Sequence, residues 1–298
     1  MASVTANGIS IEYEEIGDKS APAILLVMGL GAQLTRWSDT FCQALADGGF
    51  RTIRFDNRDC GLSSKFEAAG VPNMAEMFQK ATKGETIAAP YRLEDMALDA
   101  VGLMDRLGLA KAHIVGASMG GMIAQVMAAR HPNRTASLVS IMSSSGRRGL
   151  PPGKPEAMQA IMTRPESGER EALIQNSMRA SRIIGSPGYP EDEAVLRRQA
   201  ERNVDRSYYP QGVSRQFAAV LASGSRVDLL KTITAPSLVI HGNDDPLVPV
   251  EAGRDTAAHI PGAELMLVPG MGHAIESKLV PIVAPAILAH CRKAMAVA

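Results

Sequence analysis

From residue 23 onward, short apolar runs alternate with amphipathic stretches of helical spacing, and few folds accept that alternation. AILLVMG (23–29) is an uninterrupted apolar run ending in glycine, the pattern of a strand covered on both faces. Trp37, Phe41 and Leu45 predict a helix over 35–48, stopped by Asp47-Gly48-Gly49. FRTIRFD (50–56) reads as the next strand, followed by a turn-rich stretch from 57 to 74. A long helix is predicted over 92–108, where Leu93, Met96, Ala97, Ala100, Leu103, Met104 and Leu107 share one face. AHIVGA (112–117) is a strand, MGGMIAQVMAAR (119–130) a helix and ASLVSIM (136–142) a strand. Much later, APSLVIHG (235–242) and AELMLVPG (263–270) are strands around a helix near 251–260, and a final helix covers 276–296. Such a series predicts a mostly parallel sheet with helices on both faces. Ahead of it, segments 3–6 and 9–16 form a hairpin turning at Asn7-Gly8.

Residues 145–230 break the alternation. They are rich in Pro, Gly and Arg and read as short helices over 153–163, 168–181, 190–204 and 211–223. The stretch is too long for a plain loop and is expected to lie on top of the sheet as a helical cap. The expected division is therefore a core of residues 1–144 and 231–298 with a cap of 145–230. Gly146, Gly149 and Gly224 stand near the cap's ends as hinge candidates.

The chain has 298 residues and formal net charge +0. That balance gives no electrostatic reason to expect nucleic acid or an anionic membrane as partner. Cys42, Cys60 and Cys291 are scattered, with no CxxC pair, so neither a disulfide framework nor a zinc site is expected. The start, MASVTANGISIEYEEIG, lacks a basic region followed by an apolar run. No stretch approaches ~18 uninterrupted apolar residues. A cytoplasmic protein is the expectation, and a homodimer is compatible with the sequence.

The chemistry concentrates at Gly116-Ala117-Ser118-Met119-Gly120. A bare GxSxG is a weak signal, but here Ile114-Val115 end a strand and a helix begins directly after Ser118. A serine at a sharp strand-to-helix turn needs neighbours without side chains, and the helix N-terminus aims free N–H groups at it. The bland alternative is an N-cap serine. A nucleophilic serine needs a base, and the base an orienting acid. HGNDDPLVP supplies the acid after a later strand, as Asp244 or Asp245. The Gly242-x-x-Asp245 spacing before Val248-Pro249 favours Asp245, and the other aspartate would cap the turn. His273, in the glycine-rich loop of LVPGMGHAIE, is the candidate base. The other histidines fit less well. His113 lies in a strand, His131 ends a helix, and His259 and His290 are helical. His241 lies beside the two aspartates but has no third ligand at a metal-binding spacing. No metal or organic cofactor is expected.

Ser118, Asp245 and His273 occur in the chain order of an α/β-hydrolase. Together with LLVMGLGAQLTRW, FDNRDCGLS, VGASMGG, HGNDDPLVP and PGMGHA, they make the chain resemble that family over nearly its whole length, and within it the aclacinomycin methylesterase-like esterases. The resemblance implies an α/β-hydrolase fold with an eight-stranded sheet and a helical cap between strands 6 and 7. Two departures stand out. Met28-Gly29 replaces the His-Gly of many members, and Asp59 replaces the first glycine of Asp-x-Arg-Gly-x-Gly-x-Ser. Both match the methylesterase-like branch.

The activity expected is hydrolysis of carboxylic esters of small to medium apolar substrates. Ser118 would attack, His273 accept its proton and Asp245 hold the imidazole. The backbone N–H groups of Met119 and Leu30 would form the oxyanion hole. Gly29, Tyr208 and Tyr209 are candidate substrate contacts, and the tyrosines could equally be packing residues. A carbon–carbon bond hydrolase, a perhydrolase, a lactonase or an amidase could use the same triad. A serine at position 118 speaks against epoxide hydrolases and haloalkane dehalogenases, which place aspartate there. A ligand-binding receptor on the same fold is the non-enzymatic alternative, and a lost triad member would favour it.

Overall fold

The computed structural model describes residues 2–163, 165 and 167–296. The hairpin is present as β1 (Ala2–Ala6) and β2 (Ile9–Ile16). Asn7 (φ 48°) and Gly8 (φ 77°) both take the left-handed conformation that a two-residue hairpin turn needs. β3 (Ala23–Val27), β4 (Arg51–Phe55), β5 (Ala112–Ala117), β6 (Thr135–Ile141), β7 (Ser237–Gly242) and β8 (Glu264–Val268) complete one sheet of eight strands, in the order β1-β2-β4-β3-β5-β6-β7-β8. Only the β1–β2 and β2–β4 pairs are antiparallel. The strands 23–29 and 263–270 come out shorter than expected, because Met28-Gly29 and Pro269-Gly270 belong to loops at the end of the sheet.

Alternate residues of the central strands feed two cores. Leu25, Val27, Ile53 and Ile114 pack on one side with α3 (Leu93–Arg106) and α4 (Met119–Arg130). Ile24, Leu26 and Val115 pack on the other with α1 (Asp39–Asp47) and the last helix (Val280–Ala296). The helix expected over 35–48 is split into a 3₁₀ turn, Leu34–Arg36, and α1, whose Ser38 cap accepts the Phe41 N–H at 3.1 Å. A helix not expected from the sequence, α2 (Met74–Lys83), begins where the turn-rich stretch was read to end. Its signals were Asn73, which accepts the Glu76 N–H, and Gly84, left-handed at its end. Its apolar face is short: Met77 is deeply buried, in a small cluster with Ile87, Phe217 and Ala218. An apolar period that brief is easy to lose in a turn-rich stretch.

Between β6 and β7 lie α5 (Pro155–Met162), α6 (Arg170–Ile184), α7 (Glu193–Arg206), α8 (Pro210–Ser223) and the short α9 (Val227–Leu230). α10 (Val250–His259) joins β7 to β8, and the last helix is α11. The segment Ser277–Ala296, mean hydropathy 1.3, is long and apolar enough by composition to cross a bilayer. Within this fold Val283, Ala284, Ile287 and Cys291, at spacings of three and four, form its buried stripe on the sheet.

The inserted helices are tied to the sheet by buried charge. Asp59, which stands at the first glycine of the Asp-x-Arg-Gly-x-Gly-x-Ser pattern expected above, is left-handed (φ 64°). The strain is held by four hydrogen bonds to its carboxylate: Arg215 Nε and Nη2 from α8, each at 2.8 Å, the Tyr91 hydroxyl at 2.7 Å and the Phe66 N–H at 2.8 Å. Arg215 is 1% exposed. Burial, reinforced by the neighbouring Asp59 carboxylate, holds the Tyr91 phenol protonated well above its ordinary range. Arg206 of α7 pairs in the same way with Asp56 at 2.7 Å. Arg215→Met strands a buried carboxylate and is expected to cost about 3–5 kcal/mol of unfolding free energy in urea titrations. Asp59→Gly added to it removes both the orphaned charge and the backbone strain, and should recover much of that loss.

Candidate active site

Ser118 is the residue between β5 and α4. Its backbone (φ 55°, ψ −121°) lies outside the comfortable regions for a residue with a side chain, and such strain persists only where the surroundings enforce it. They do so here. The Ser118 N–H donates to Ile141 O at 2.9 Å, and its carbonyl accepts from Gly121 N–H at 2.9 Å and Ser143 Oγ at 2.8 Å. The flanking glycines are dictated by contact distance. A Cβ on Gly116 would sit 2.1 Å from Gly120 O, and one on Gly120 would sit 2.0 Å from Val27 O. Ser118 Oγ is not used as a helix cap, which removes the bland alternative for this residue.

The Ser118 hydroxyl meets His273 Nε2 at 3.0 Å, and His273 Nδ1 meets Asp245 Oδ2 at 2.7 Å. The partners assign the tautomer. A carboxylate only accepts, so Nδ1 carries the proton and Nε2 is left to accept from the serine. Asp245 is held from behind, its Oδ1 accepting the N–H groups of Leu247 at 2.9 Å and Val248 at 2.8 Å. Asp244 turns away and accepts the Gly270 N–H at 2.8 Å, bracing the loop that leads to His273. Of the two aspartates, Asp245 is the one in contact with His273.

The remaining histidines have other partners. His113 is buried against Ser137 Oγ at 2.8 Å, and burial lowers its pKa to about 4. His131 closes α4. His259 Nδ1 lies 2.7 Å from the Asp255 carbonyl, one turn back along α10. His290, on α11, is buried with Nε2 3.2 Å from Pro236 O. His241 donates through Nε2 to Val248 O at 2.8 Å and lies 3.7 Å from Asp245 Oδ2, so it braces the loop that carries the acid. Burial is the largest influence on it and lowers its pKa, against the raising effect of the Val248 carbonyl and Asp245. Among the described residues, no three His, Cys, Asp or Glu side chains are grouped so that they could hold a metal ion. The three cysteines are buried and free, and burial pushes the Cys42 and Cys291 thiols up to about 12.

Gly29 lies directly against the serine. A Cβ there would meet Ser118 Cβ at 3.1 Å and Oγ at 3.6 Å, so the turn after β3 needs glycine to come this close. Next to it, the N–H groups of Leu30 and Met119 have no hydrogen-bond acceptor among the described residues. Met119 is the first residue of α4, whose leading N–H groups have no partner within the helix. Ser118, Gly29, Leu30, Met119 and His273 open onto one cavity of about 630 Å³, a size suited to a small organic molecule. Met28, Met74, Met122, Met142, Met158 and Met162 also line it, with Phe217 and Val213 from α8. Methionine is a polarisable, adaptable wall for irregular apolar groups. Tyr208 and Tyr209 both line the cavity. Tyr209 has its hydroxyl occupied by Arg215 Nη2 at 2.6 Å and Lys65 Nζ 5.3 Å from its ring centroid, while Tyr208 is 47% exposed. The motifs contained no sign of Gln216, Arg215 or Ser186, which support this site from the inserted helices.

The profile of the alpha/beta hydrolase fold family matches residues 22–275. Rhodomycin D methylesterase DauP of Streptomyces sp. (strain C5) is 27% identical over 98% of each chain. 3-Oxoadipate enol-lactonase 2 of Acinetobacter baylyi is 25% identical over 86% of this chain and 84% of its own. A meta-cleavage product hydrolase from Pseudomonas fluorescens IP01 superposes with a TM-score of 0.75 at 21% identity, covering 99% of this chain and 98% of its own.

Proposed function

We propose that this chain, which belongs to the alpha/beta-hydrolase fold family, cleaves carboxylic esters of small to medium apolar molecules through an acyl-enzyme. The observation that carries the reading is the hydrogen-bonded line from Ser118 Oγ through His273 to Asp245, at 3.0 and 2.7 Å, opening onto an apolar cavity. Similarity to a methylesterase and an enol-lactonase supports ester bonds as the target.

In this reading Ser118 attacks the carbonyl carbon while His273 Nε2 takes its proton. Asp245 holds the ring in that tautomer and stabilises the imidazolium. The carbonyl oxygen becomes an oxyanion and is received by the N–H groups of Met119 and Leu30. The imidazolium returns the proton to the departing alcohol. Water then attacks the acyl-enzyme with His273 again as base, the acyl–Oγ bond breaks as the imidazolium returns its proton to Ser118 Oγ, and the acid leaves. Apart from the ester and the water, each step uses a side chain or backbone N–H group named above. Residues 145–230 act as the cap that shapes the cavity, over a core of 1–144 and 231–298.

The test is turnover of short- and medium-chain p-nitrophenyl and methyl esters, with labelling of the protein by a serine-reactive phosphonate located by mass spectrometry. Ester turnover with the label on Ser118 is the expected result. A folded protein that neither turns over esters nor takes up phosphonate sinks the esterase reading, and carbon–carbon hydrolysis, perhydrolysis and ligand binding become the assays to run.

A further inference from the structure

We infer that the helices between β6 and β7 are a working part of the catalytic apparatus as well as a cover, with Ser186 and Gln216 as the positioning residues they supply. This inference rests on the esterase reading above.

Ser186 lies just beyond α6 and is 2% exposed. Its hydroxyl accepts the Gly272 N–H at 3.0 Å and donates to Ala274 O at 2.8 Å. One side chain therefore grips the backbone on both sides of His273. The contact continues along the chain. His273 N–H donates to Ile184 O at 2.8 Å, and Gly188 N–H donates to Gly270 O at 2.9 Å. The two backbones approach so closely that a Cβ on Gly272 would lie 2.0 Å from Gly185 O. Residues 184–188 therefore hold the loop of the base, in addition to the brace from Asp244.

Gln216, on α8, does the same for the opposite wall. It is fully buried. Its Oε1 accepts the Gly31 N–H at 2.7 Å, and its Nε2 donates to Arg58 O at 2.7 Å. Gly31 follows Leu30 and is left-handed (φ 64°), so the bond from Gln216 fixes the turn in which the Leu30 N–H points at the cavity. The side chain is fully buried and is not among the residues lining the cavity, so it is placed to support the turn and not to meet substrate. Misplacing a reacting group by about 1 Å can cost ~10² in rate, and these two contacts govern the placement of a base and an oxyanion donor.

Ser186→Ala and Gln216→Met each remove the hydrogen bonds with little change in volume. Each is expected to lower kcat by about 10–100-fold while KM for a p-nitrophenyl ester stays within about twofold, because neither side chain contacts substrate. Rescue should follow chemistry. Gln216→Glu, kept neutral by burial, can accept from Gly31 and donate to Arg58 O, and should regain most of the rate. Ser186→Cys, a weaker donor and acceptor, should fall between serine and alanine. Urea midpoints are measured in parallel. The inference is overturned if the folded Ala and Met variants keep wild-type kcat, or if the rates of all four variants follow the urea midpoints rather than hydrogen-bonding capacity. Phosphonate labelling separates the two readings. A wild type that takes no label sinks the esterase proposal, whereas a labelled wild type with equally fast labelling of both variants sinks only this one.

Discussion

Replacing Ser118 with alanine is expected to lower kcat/KM for ester hydrolysis by ~10⁴–10⁶-fold, with the protein still folded. The size follows from the surroundings. His273 Nε2 has Ser118 Oγ as its partner, and the neighbouring Ser143 hydroxyl is already committed to a backbone carbonyl, so no second nucleophile stands in position. Stability should move little, since alanine inherits the same strained backbone. Ser118→Gly is the informative companion. Glycine accepts φ 55°, ψ −121° without a side-chain penalty, so this variant should be equally inactive yet more stable, by about 1 kcal/mol. Stability gained as activity is lost would mark the elbow as strain maintained for chemistry. An alanine variant retaining more than a few per cent of activity would remove Ser118 from the mechanism.

Asp245→Asn should cost ~10⁴ in kcat with almost unchanged geometry. The reason lies in the two backbone N–H groups that hold Oδ1 of Asp245. An asparagine must offer its carbonyl oxygen to Leu247 and Val248. Its NH₂ then replaces Oδ2 and points at His273 Nδ1, where a carboxylate accepted a proton before. The ring can satisfy that donor only by moving its own proton to Nε2, which then confronts the Ser118 hydroxyl with a donor instead of an acceptor. Asp244→Asn is the matched control. Asp244 hydrogen-bonds to the Gly270 and Met271 backbone, and its loss should change kcat by less than about tenfold. Steady-state kinetics of the pair, with the urea midpoint of each, checks both statements; equal losses would show that the loop as a whole, rather than one carboxylate, matters.

Much of this architecture could be read from the chain. The buried strands are unbroken apolar runs, and α3, α4 and the hairpin turn carry their periods and glycines openly. The candidate site was legible where backbone geometry constrains sequence. The glycines around Ser118 are there because backbone atoms approach within van der Waals contact, and Asp245 and His273 follow strands ending at the same edge. The 3₁₀ turn at Leu34–Arg36 and helix α2 were not legible. The first interrupts a run whose apolar spacing still looks helical, and the second presents its apolar face to α8 rather than to the sheet. Asp59 was visible only as a departure from a glycine position; its reason, the guanidinium of Arg215 156 residues away, was not.

The strands, the turn at Ser118 and the residue types of the candidate site were legible in the chain because these are local: hydrophobic period, glycine at close approaches, and a serine at a strand-to-helix turn. Tertiary structure decided what those residues face. β3 has β4 on one side and β5 on the other, and the strand order reverses there. The turns after β3 and β5 therefore leave in neighbouring positions and form a crevice, which brings Gly29 and Leu30 beside Ser118. The same long-range packing put Asp245, and not Asp244, against His273 and brought Ser186 and Gln216 to the two walls of the candidate site. Hydrogen bonds between residues 86 and 185 positions apart leave no periodic trace in a chain; they exist only once the sheet has set where its loops emerge.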